Sequence, residues 1–147
     1  MAKLKVGFIK KKNARIPVYA TSSSSGLDLF ACLDEPVTIE PRKWAIIPTG
    51  IKVVLPDGYE GEIRPRSGLA FKYGITVLNS PGTIDSDYRG EIKVVLINHG
   101  EKPFLVENGM RIAQMVIKRF EKVELVEEDC LPDTERGEGG FGSTGIR

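Results

Sequence analysis

The chain has 147 residues and a formal net charge of +1 at pH 7, so no global field favours binding to nucleic acid or a membrane surface. It contains two cysteines and one histidine, which argues against a disulfide framework, a cysteine-based zinc site and a histidine-rich metal cage. A chain of this length is expected to form one domain. No apolar run is long enough to span a bilayer and the N-terminus lacks a signal-peptide core, so we expect a cytoplasmic protein.

Short apolar segments with a period of two, separated by glycine, proline and aspartate, predict an all-β sandwich or barrel. The predicted strands are, in chain order, residues 4–9, 27–33, 37–39, 44–47, 51–55, 59–65, 75–78, 91–98, 110–118 and 120–126. One short helical turn is predicted at residues 68–72, and His99 is predicted to lie in a solvated turn. The periodicity stops near Leu131, where a glycine-rich tail begins.

Two polar residues stand out within the predicted strands. Asp28 follows a serine tract and has apolar neighbours, so it is either a functional group or a buried carboxylate held by backbone N–H groups or an arginine. Gln114 shares a strand face with Ile112 and Val116. Its side chain must therefore find a hydrogen-bond partner on that face or reach a ligand at the edge of the strand.

Arginines and small residues cluster at residues 64–68, where a predicted strand meets the helical turn. Ser67 is predicted to cap that turn, and the N–H groups that follow would form a small anion pocket. Arg66 would add a charge-assisted contact to phosphate, whereas Arg64 is either a further phosphate contact or structural. An ordinary cap with no ligand is the alternative. P-loop and Rossmann sites are disfavoured, because no Walker A lysine follows a glycine-rich loop and no GxGxxG sequence opens a helix after a strand.

Residues 79–90, with the sequence NSPGTIDSDYRG, form a second unusual stretch. Residues 80–83 fit a type II turn in which Gly82 supplies a positive φ, and the turn would join two extended arms into a hairpin. On an extended arm Asp85 and Asp87 would face the same side. We predict that Asp87 pairs with Arg89 in a polar turn and that Asp85 is available for chemistry, although spacing alone assigns neither role.

The last twelve residues read RGEGGFGSTGIR and cannot form a helix or strand alone, because each glycine costs backbone entropy. Arg136 offers a planar cation, Phe141 a stacking face, and Ser143 and Thr144 hydroxyl groups. These groups suit a nucleotide, which has a base to stack on and phosphates to bind. A mobile chain end without a ligand is the alternative interpretation.

Taken together and in order, five stretches resemble the motifs of the trimeric deoxyuridine triphosphate nucleotidohydrolases, the dUTPases. They are SGLDL at 25–29, PRSGLA at 65–70, GTIDSDYRG at 82–90, RIAQMVI at 111–117 and RGEGGFGSTG at 136–145. The resemblance implies a homotrimer of jelly-roll-like β-barrels with dUTP as its partner and no nucleic acid or membrane. It also implies a catalytic domain at residues 1–131 and a flexible arm at 132–147 that closes over a neighbour's site.

The resemblance implies hydrolysis of dUTP to dUMP and pyrophosphate with Mg²⁺, which keeps uracil out of DNA and supplies dUMP for thymidylate synthesis. Asp85 would deprotonate the water that attacks the α-phosphorus, and Asp28 would hold the magnesium on the triphosphate through coordinated water. The other implied substrate contacts are Arg66, Ser67, Gly68 and Gln114 for the phosphates, Asn79, Gly82, Thr83, Ile84 and Tyr88 for the nucleoside, and Arg136, Phe141, Gly142, Ser143 and Thr144 in the arm.

Ser25 departs from the alanine that commonly precedes the glycine of the first motif, and we expect this small change to leave the site intact. Three other functions stay open. The chain could be a dCTP deaminase or a bifunctional relative, a nucleotide-binding β-module without catalysis, or a β-barrel assembly protein with a disordered tail. Release of ammonia from dCTP would identify the first, and binding of dUTP without turnover the second.

Overall fold

The computed structural model describes residues 2–147, whose regular structure is β-strand apart from one short helix, so the predicted all-β class is confirmed. The strands are β1 (Gly7–Lys10), β2 (Val18–Tyr19), β3 (Leu27–Phe30), β4 (Val37–Ile39), β5 (Trp44–Pro48), β6 (Ile51–Val54), β7 (Tyr59–Arg64), β8 (Ile75–Val77), β9 (Gly82–Ile84), β10 (Lys93–Asn98), β11 (Phe104–Val106) and β12 (Arg111–Arg119). The helix α1 (Ser67–Tyr73) joins β7 to β8 and ends at Gly74, which has a φ of 68°.

The strands of residues 2–147 form four sheets, and neighbouring strands pair antiparallel. The largest sheet has the order β2-β3-β12-β7-β9, a second has the order β5-β10-β8, and two pairs join β1 to β6 and β11 to β4. In the largest sheet, Gln114 on β12 lies opposite Asp28 on one side and Arg64 on the other. This sheet therefore brings together the segments that hold the predicted phosphate-binding residues. Within the described chain the four sheets do not close into one barrel.

The observed strands differ from the predicted ones in ways that have physical reasons. The predicted strand at residues 120–126 is wrong, because that segment pairs with no strand among residues 2–147 and Leu125 is 92% exposed. Its alternating pattern is typical of a strand, yet the single subunit offers it no partner. The sequence pattern also misses β2 and β11, and the two residues of β2 are too few to display a period of two.

Two completely buried polar side chains, Thr49 and Asn98, fix the ends of β10. The Thr49 hydroxyl donates to the carbonyl oxygen of Ile92 at 2.6 Å. The Asn98 amide donates to the carbonyl oxygens of Ile39 and Lys102, both at 2.8 Å. Both side chains are thus hydrogen-bonded in the core, as burial of a polar group requires. The Thr49 contact anchors the chain directly after residues 85–91, which carry Asp85.

Several large apolar side chains are exposed in the single subunit. Trp44 and Ile46 on β5 are more than half exposed, and so are Val123 and Leu125 beyond β12. Residues 120–147 contain no helix or strand, while the domain boundary at residue 131 and the flexibility of the tail stay predictions. His99 is exposed, as predicted. Among the described residues, no helix has the length and apolar character that crossing a membrane requires.

Candidate functional site

Asp28 is held by two arginines. Its side chain lies on β3 and is largely buried, with one oxygen 3.2 Å from Nη1 of Arg66 and the other accepting a hydrogen bond from Nε of Arg111 at 3.0 Å. A register shift in β12 between Arg111 and Ala113 accompanies this contact, and such bulges re-aim a side chain. Asp28 is therefore a buried carboxylate held by arginines, and a functional role for it beside that one stays a prediction.

Arg66 retains capacity for a further acceptor. Its Nη1 is buried and lies within ion-pair distance of Asp28, but it has no partner with hydrogen-bond geometry among residues 2–147. A buried donor without a partner calls for an explanation, and a ligand oxygen would supply one. Arg66, Gly68 and Arg111 line a cavity of about 370 Å³ together with Lys72. With three cations around it, the cavity suits a polyanion.

Ser67 does not cap the helix, so that prediction is wrong. The N-cap is Arg66, in an extended conformation with φ −97° and ψ 130°, and it makes no side-chain cap hydrogen bond. Ser67 is the first helical residue, one position too late for its hydroxyl to accept from the N2 or N3 amide. The hydroxyl of Ser67 and the backbone of Gly68 are exposed, and both remain accessible to a ligand.

Gln114 finds its partner across the sheet, where its Nε2 donates to the carbonyl oxygen of Pro65 at 3.1 Å. Gly26 makes room for it, because a Cβ at that position would overlap the Gln114 amide oxygen. Arg64 pairs with Glu62, since its Nε donates to Oε2 of that residue at 2.9 Å, while a phosphate contact of Arg64 stays a prediction. That hydrogen bond holds the pKa of Glu62 below its ordinary value.

The hairpin residues line a separate cavity of about 260 Å³. Its walls include the predicted residues Asn79, Gly82, Thr83, Ile84, Asp85 and Tyr88. The type II turn is wrong: the Ser80–Pro81 bond is cis, and Gly82 is not among the positive-φ residues of the described chain. Gly82 instead opens β9 opposite Ile63, where an added Cβ would lie 3.2 Å from the Ile63 Cβ. Close strand packing explains this glycine better than a turn does.

The loop of residues 85–91 closes on itself and leaves Asp85 free. The backbone N–H of Tyr88 donates to the Asp85 carbonyl oxygen at 3.1 Å, and the Tyr88 hydroxyl donates to the Glu91 carbonyl oxygen at 2.8 Å. Arg89 donates to the carbonyl oxygen of Ser86 at 2.7 Å, so the predicted pairing of Asp87 with Arg89 is wrong. The Asp85 carboxylate is exposed and makes no salt bridge among residues 2–147.

The tail stays apart from both cavities. Nε of Arg136 donates to the carbonyl oxygen of Gly139 at 2.9 Å, which closes a local turn, and Phe141 is fully exposed with a φ of 51°. Gly142, Ser143 and Thr144 are exposed as well, and none of residues 136–144 lines either cavity. The chain therefore gathers the predicted residues into three groups. The Asp28 cluster is Asp28 with Arg66 and Arg111, the Asp85 cavity is the one lined by the hairpin, and the third group is the arm.

The structure also adds residues that the sequence patterns miss. Arg111 and Lys72 belong to the polyanion cavity, and Glu91 and Lys93 line the Asp85 cavity. The alternating patterns around Asp28 and Gln114 would have allowed antiparallel pairing of these two strands to be predicted. That pairing would have indicated Arg111, which lies on the strand opposite Asp28. Glu91 and Lys93 carry no such signal, since charged residues at the start of a strand are common.

A divalent cation would find few ligands here without a substrate. No group of three or more His, Cys, Asp or Glu side chains that could hold a metal occurs in the described part of the chain. Asp28 has both oxygens on arginines, so it fits a cation reached through coordinated water better than direct ligation. Mg²⁺ is commonly held by few carboxylates with substrate phosphates and water completing its shell. The donor set thus fits Mg²⁺ carried on a triphosphate.

Comparisons with known proteins agree on one family. The family model described as dUTPase matches residues 12–145. Deoxyuridine 5'-triphosphate nucleotidohydrolases of Rickettsia felis and Rickettsia typhi are 53% and 54% identical to this chain, and the matches cover 99% and 97% of both proteins. The dUTPase of Staphylococcus bacteriophage 80alpha, solved with dUPNHPP, has a TM-score of 0.88 at 28% identity, covering 98% of this chain and 100% of that one.

A second solved structure shows likeness of fold alone. It is a mutant dUTPase from phage phi11 of S. aureus, described with a structural Mg(II) ion. It has a TM-score of 0.77 at 24% identity and covers 86% of this chain and 97% of that one.

Proposed function

This chain belongs to the dUTPase family and hydrolyses dUTP to dUMP and pyrophosphate, and we propose that it does so with Asp85 as general base in a site shared between subunits. The observation that carries the proposal is the cavity beside β9. It combines the exposed carboxylate of Asp85 with the Tyr88 ring and the backbone of a tight hairpin. A base and a nucleoside-sized recess thus occur together.

We propose a homotrimer of jelly-roll-like barrels, because one subunit leaves the predicted site in three separate groups. The Asp28 cluster and the Asp85 cavity share no lining residue, and Phe141 contacts neither. The exposed apolar side chains of β5 and of residues 120–131 support burial against other copies of the chain. In such a trimer, the arm of residues 132–147 would close over a cavity formed by its neighbours.

The phosphates of dUTP would bind in the cavity around Arg66, whose Nη1 lies within ion-pair distance of Asp28 but has no hydrogen-bond acceptor within residues 2–147. Gly68 lines the same cavity, whereas Gln114 lines a separate one with Arg64 and Pro65, and both would add hydrogen bonds together with Ser67. Arg136, Ser143 and Thr144 would bind the outer phosphates when the arm closes. Asp28 would hold Mg²⁺ through coordinated water. When bound, Mg²⁺ would offset the negative charge of the triphosphate and favour departure of pyrophosphate.

The Asp85 carboxylate would accept a proton from a water molecule as the water oxygen bonds to the α-phosphorus. The bond from that phosphorus to the bridging oxygen then breaks, and the electron pair leaves with pyrophosphate. Asp85 suits this role because its carboxylate is exposed and forms no salt bridge within residues 2–147, whereas Asp28 pairs with two arginines. A positioned carboxylate base typically contributes about 10²–10⁴-fold to the rate.

The hairpin supplies the specificity. Residues 79–84 would present backbone donors and acceptors to the uracil edge, so the amino group of cytosine would meet a donor and leave buried polar groups unpaired. Such mismatches discriminate by about 10⁴-fold or more. The narrow cavity would exclude the thymine methyl group, the Tyr88 ring would fill the volume of a ribose 2′-hydroxyl, and Phe141 would stack over the base. Deamination of dCTP is not favoured, because the family model and the named relatives are dUTP hydrolases.

A panel of nucleotides tests the activity. We expect pyrophosphate release from dUTP with Mg²⁺ and at least about 10⁴-fold slower release from dCTP, dTTP and UTP, because only uracil on deoxyribose satisfies the hairpin. Ammonia release from dCTP is measured in the same reactions and is expected to be absent. Binding of dUTP without release of pyrophosphate would refute the proposed hydrolase activity. The cytoplasmic location and the absence of nucleic-acid and membrane partners stay predictions.

Mixing two inactive variants tests the shared site. Asp85→Asn removes the base and Arg66→Ala removes a phosphate contact, so homotrimers of either variant are expected to be nearly inactive. Mixed trimers obtained by co-expression should regain part of the wild-type rate, because some sites then draw intact Asp85 and intact Arg66 from different subunits. Sedimentation analysis gives the assembly state. A monomer, or a mixture no more active than its parents, would show that the site lies within one subunit.

Gly26→Ala tests the placement of Gln114. The added methyl group would overlap the Gln114 side chain and displace its amide from Pro65 and from the phosphates. We expect kcat/KM for dUTP to fall by about 10-fold or more, since small displacements of binding groups are costly. Gly7→Ala is the matched control, because its Cβ would meet Val54 at an ordinary 3.8 Å. Unchanged kinetics in Gly26→Ala would contradict the role given to Gln114.

A further inference from the structure

Glu91 has an incompletely satisfied carboxylate in the wall of the Asp85 cavity. Its side chain is only 12% exposed, and Oε1 lies 3.1 Å from Nζ of Lys11. Oε2 is buried and has no hydrogen-bond partner among residues 2–147. A buried carboxylate that depends on a single cation is energetically sensitive, because loss of the cation leaves its charge uncompensated. No step of the reaction described above uses either residue.

Glu91 also ends the loop that carries Asp85. The Tyr88 hydroxyl donates to its carbonyl oxygen, and the next residue, Ile92, is fixed to the core by Thr49. The N–H of Ile92 also donates to the carbonyl oxygen of Ile51 at 2.8 Å. The chain is therefore fixed to the core directly after Glu91. The hydrogen bond from Tyr88 that closes the loop depends on the position of Glu91. A shift of Glu91 would carry the Tyr88 contact with it.

Lys11 belongs to a different part of the chain, so its contact with Glu91 is a tertiary link. Its backbone N–H donates to the carbonyl oxygen of Gly50 at 2.9 Å, which fixes the residue beside β6. Its side chain is 63% exposed, yet the ammonium group reaches the nearly buried carboxylate. The contact with the Glu91 carboxylate raises the pKa of Lys11 above its ordinary value.

We propose that the Lys11–Glu91 ion pair is a positioning device that holds the loop of residues 85–91 so that Asp85 and Tyr88 face the nucleotide. The inference rests on the proposed function. Without the ammonium group, the Glu91 carboxylate would turn toward water and shift the loop that it ends. A misplacement of about 1 Å at a reacting group costs up to about 10²-fold in rate. Loss of the pair should therefore lower kcat more than it raises KM.

Four variants test the pair: Lys11→Met, Lys11→Arg, Glu91→Gln and the double variant K11M/E91Q. We expect Lys11→Met to lower kcat for dUTP by about 10-fold with a smaller change in KM, and Lys11→Arg to retain most of the activity. The double variant should be more active than Lys11→Met, because a neutral glutamine in place of Glu91 no longer needs a cation. Lys12→Met is the matched control, since Lys12 is exposed and forms no salt bridge within residues 2–147.

Thermal unfolding is measured on every variant to separate misfolding from misplacement. Because Lys11 is largely exposed, a cooperative transition close to that of the wild type is expected, and Lys11→Gln repeats the comparison with a polar side chain. A kcat within about two-fold of the wild type in Lys11→Met and Lys11→Gln, or additive effects in the double variant, would overturn the inference. A wild-type protein inactive on dUTP would instead overturn the proposed function, and the inference with it.

Discussion

Asp85→Asn should lower kcat for dUTP by about 10²–10⁴-fold while dUTP still binds, because asparagine keeps the shape of the side chain but cannot accept the proton of the attacking water. The rest of the site would be unaffected, since no salt bridge of the described chain involves the Asp85 carboxylate. Single-turnover kinetics and a binding measurement with a non-cleavable analogue would give the rate and the affinity separately.

Asp87→Asn is the matched control for this experiment. Asp87 is an exposed acid in the same loop, but it does not line the cavity that contains Asp85. The Asp87→Asn substitution should leave kcat close to the wild-type value. A comparable loss of kcat in both variants would indicate a general effect of loop charge. A wild-type kcat in the Asp85→Asn variant would exclude Asp85 as the general base.

Deletion of residues 136–147 should lower kcat/KM for dUTP by about 10²-fold or more and leave the fold intact. Stacking of one base on an aromatic ring is worth about 1–3 kcal/mol, and the deletion also removes the contacts of Arg136 with phosphate. The fold should survive because residues 141–147 are exposed and residues 136–147 contain no helix or strand. Steady-state kinetics and circular dichroism provide the two measurements.

A shorter deletion, of residues 146 and 147 alone, is the control for the long one. Ile146 is fully exposed and lies beyond the last glycine of the tail. This variant should retain the wild-type kcat/KM, which would confine the effect to residues 136–145. If the long deletion also kept full activity, the arm would have no part in catalysis.

The sequence patterns predict the class of the fold because period two is a direct consequence of strand geometry. Most observed strands, such as β7 and β12, overlap a predicted one. The failures share a cause, which is that pairing depends on residues distant in sequence. Residues 120–126 have the pattern of a strand but no partner in the subunit, whereas β2 has a partner but is too short to show a pattern.

The site shows the same division between local and tertiary information. Residue types alone indicate that Asp28 needs an arginine and Gln114 a hydrogen-bond partner, and the structure supplies Arg66 and the carbonyl group of Pro65. The cap at Ser67 fails because the helix begins one residue earlier than the pattern suggests. The pair of Lys11 and Glu91 could not be found from the sequence, because eighty residues separate two ordinary surface-type side chains.

The contact of Asp28 with two guanidinium groups has a consequence for the release of products. By neutralising one of the two positive charges, the carboxylate moderates the attraction of the pocket for anions. A pocket with both charges unopposed would retain pyrophosphate after the reaction and so slow the next cycle. If the phosphates of dUTP bind there as proposed, we expect Asp28 to ease the departure of pyrophosphate while it holds its two arginines side by side.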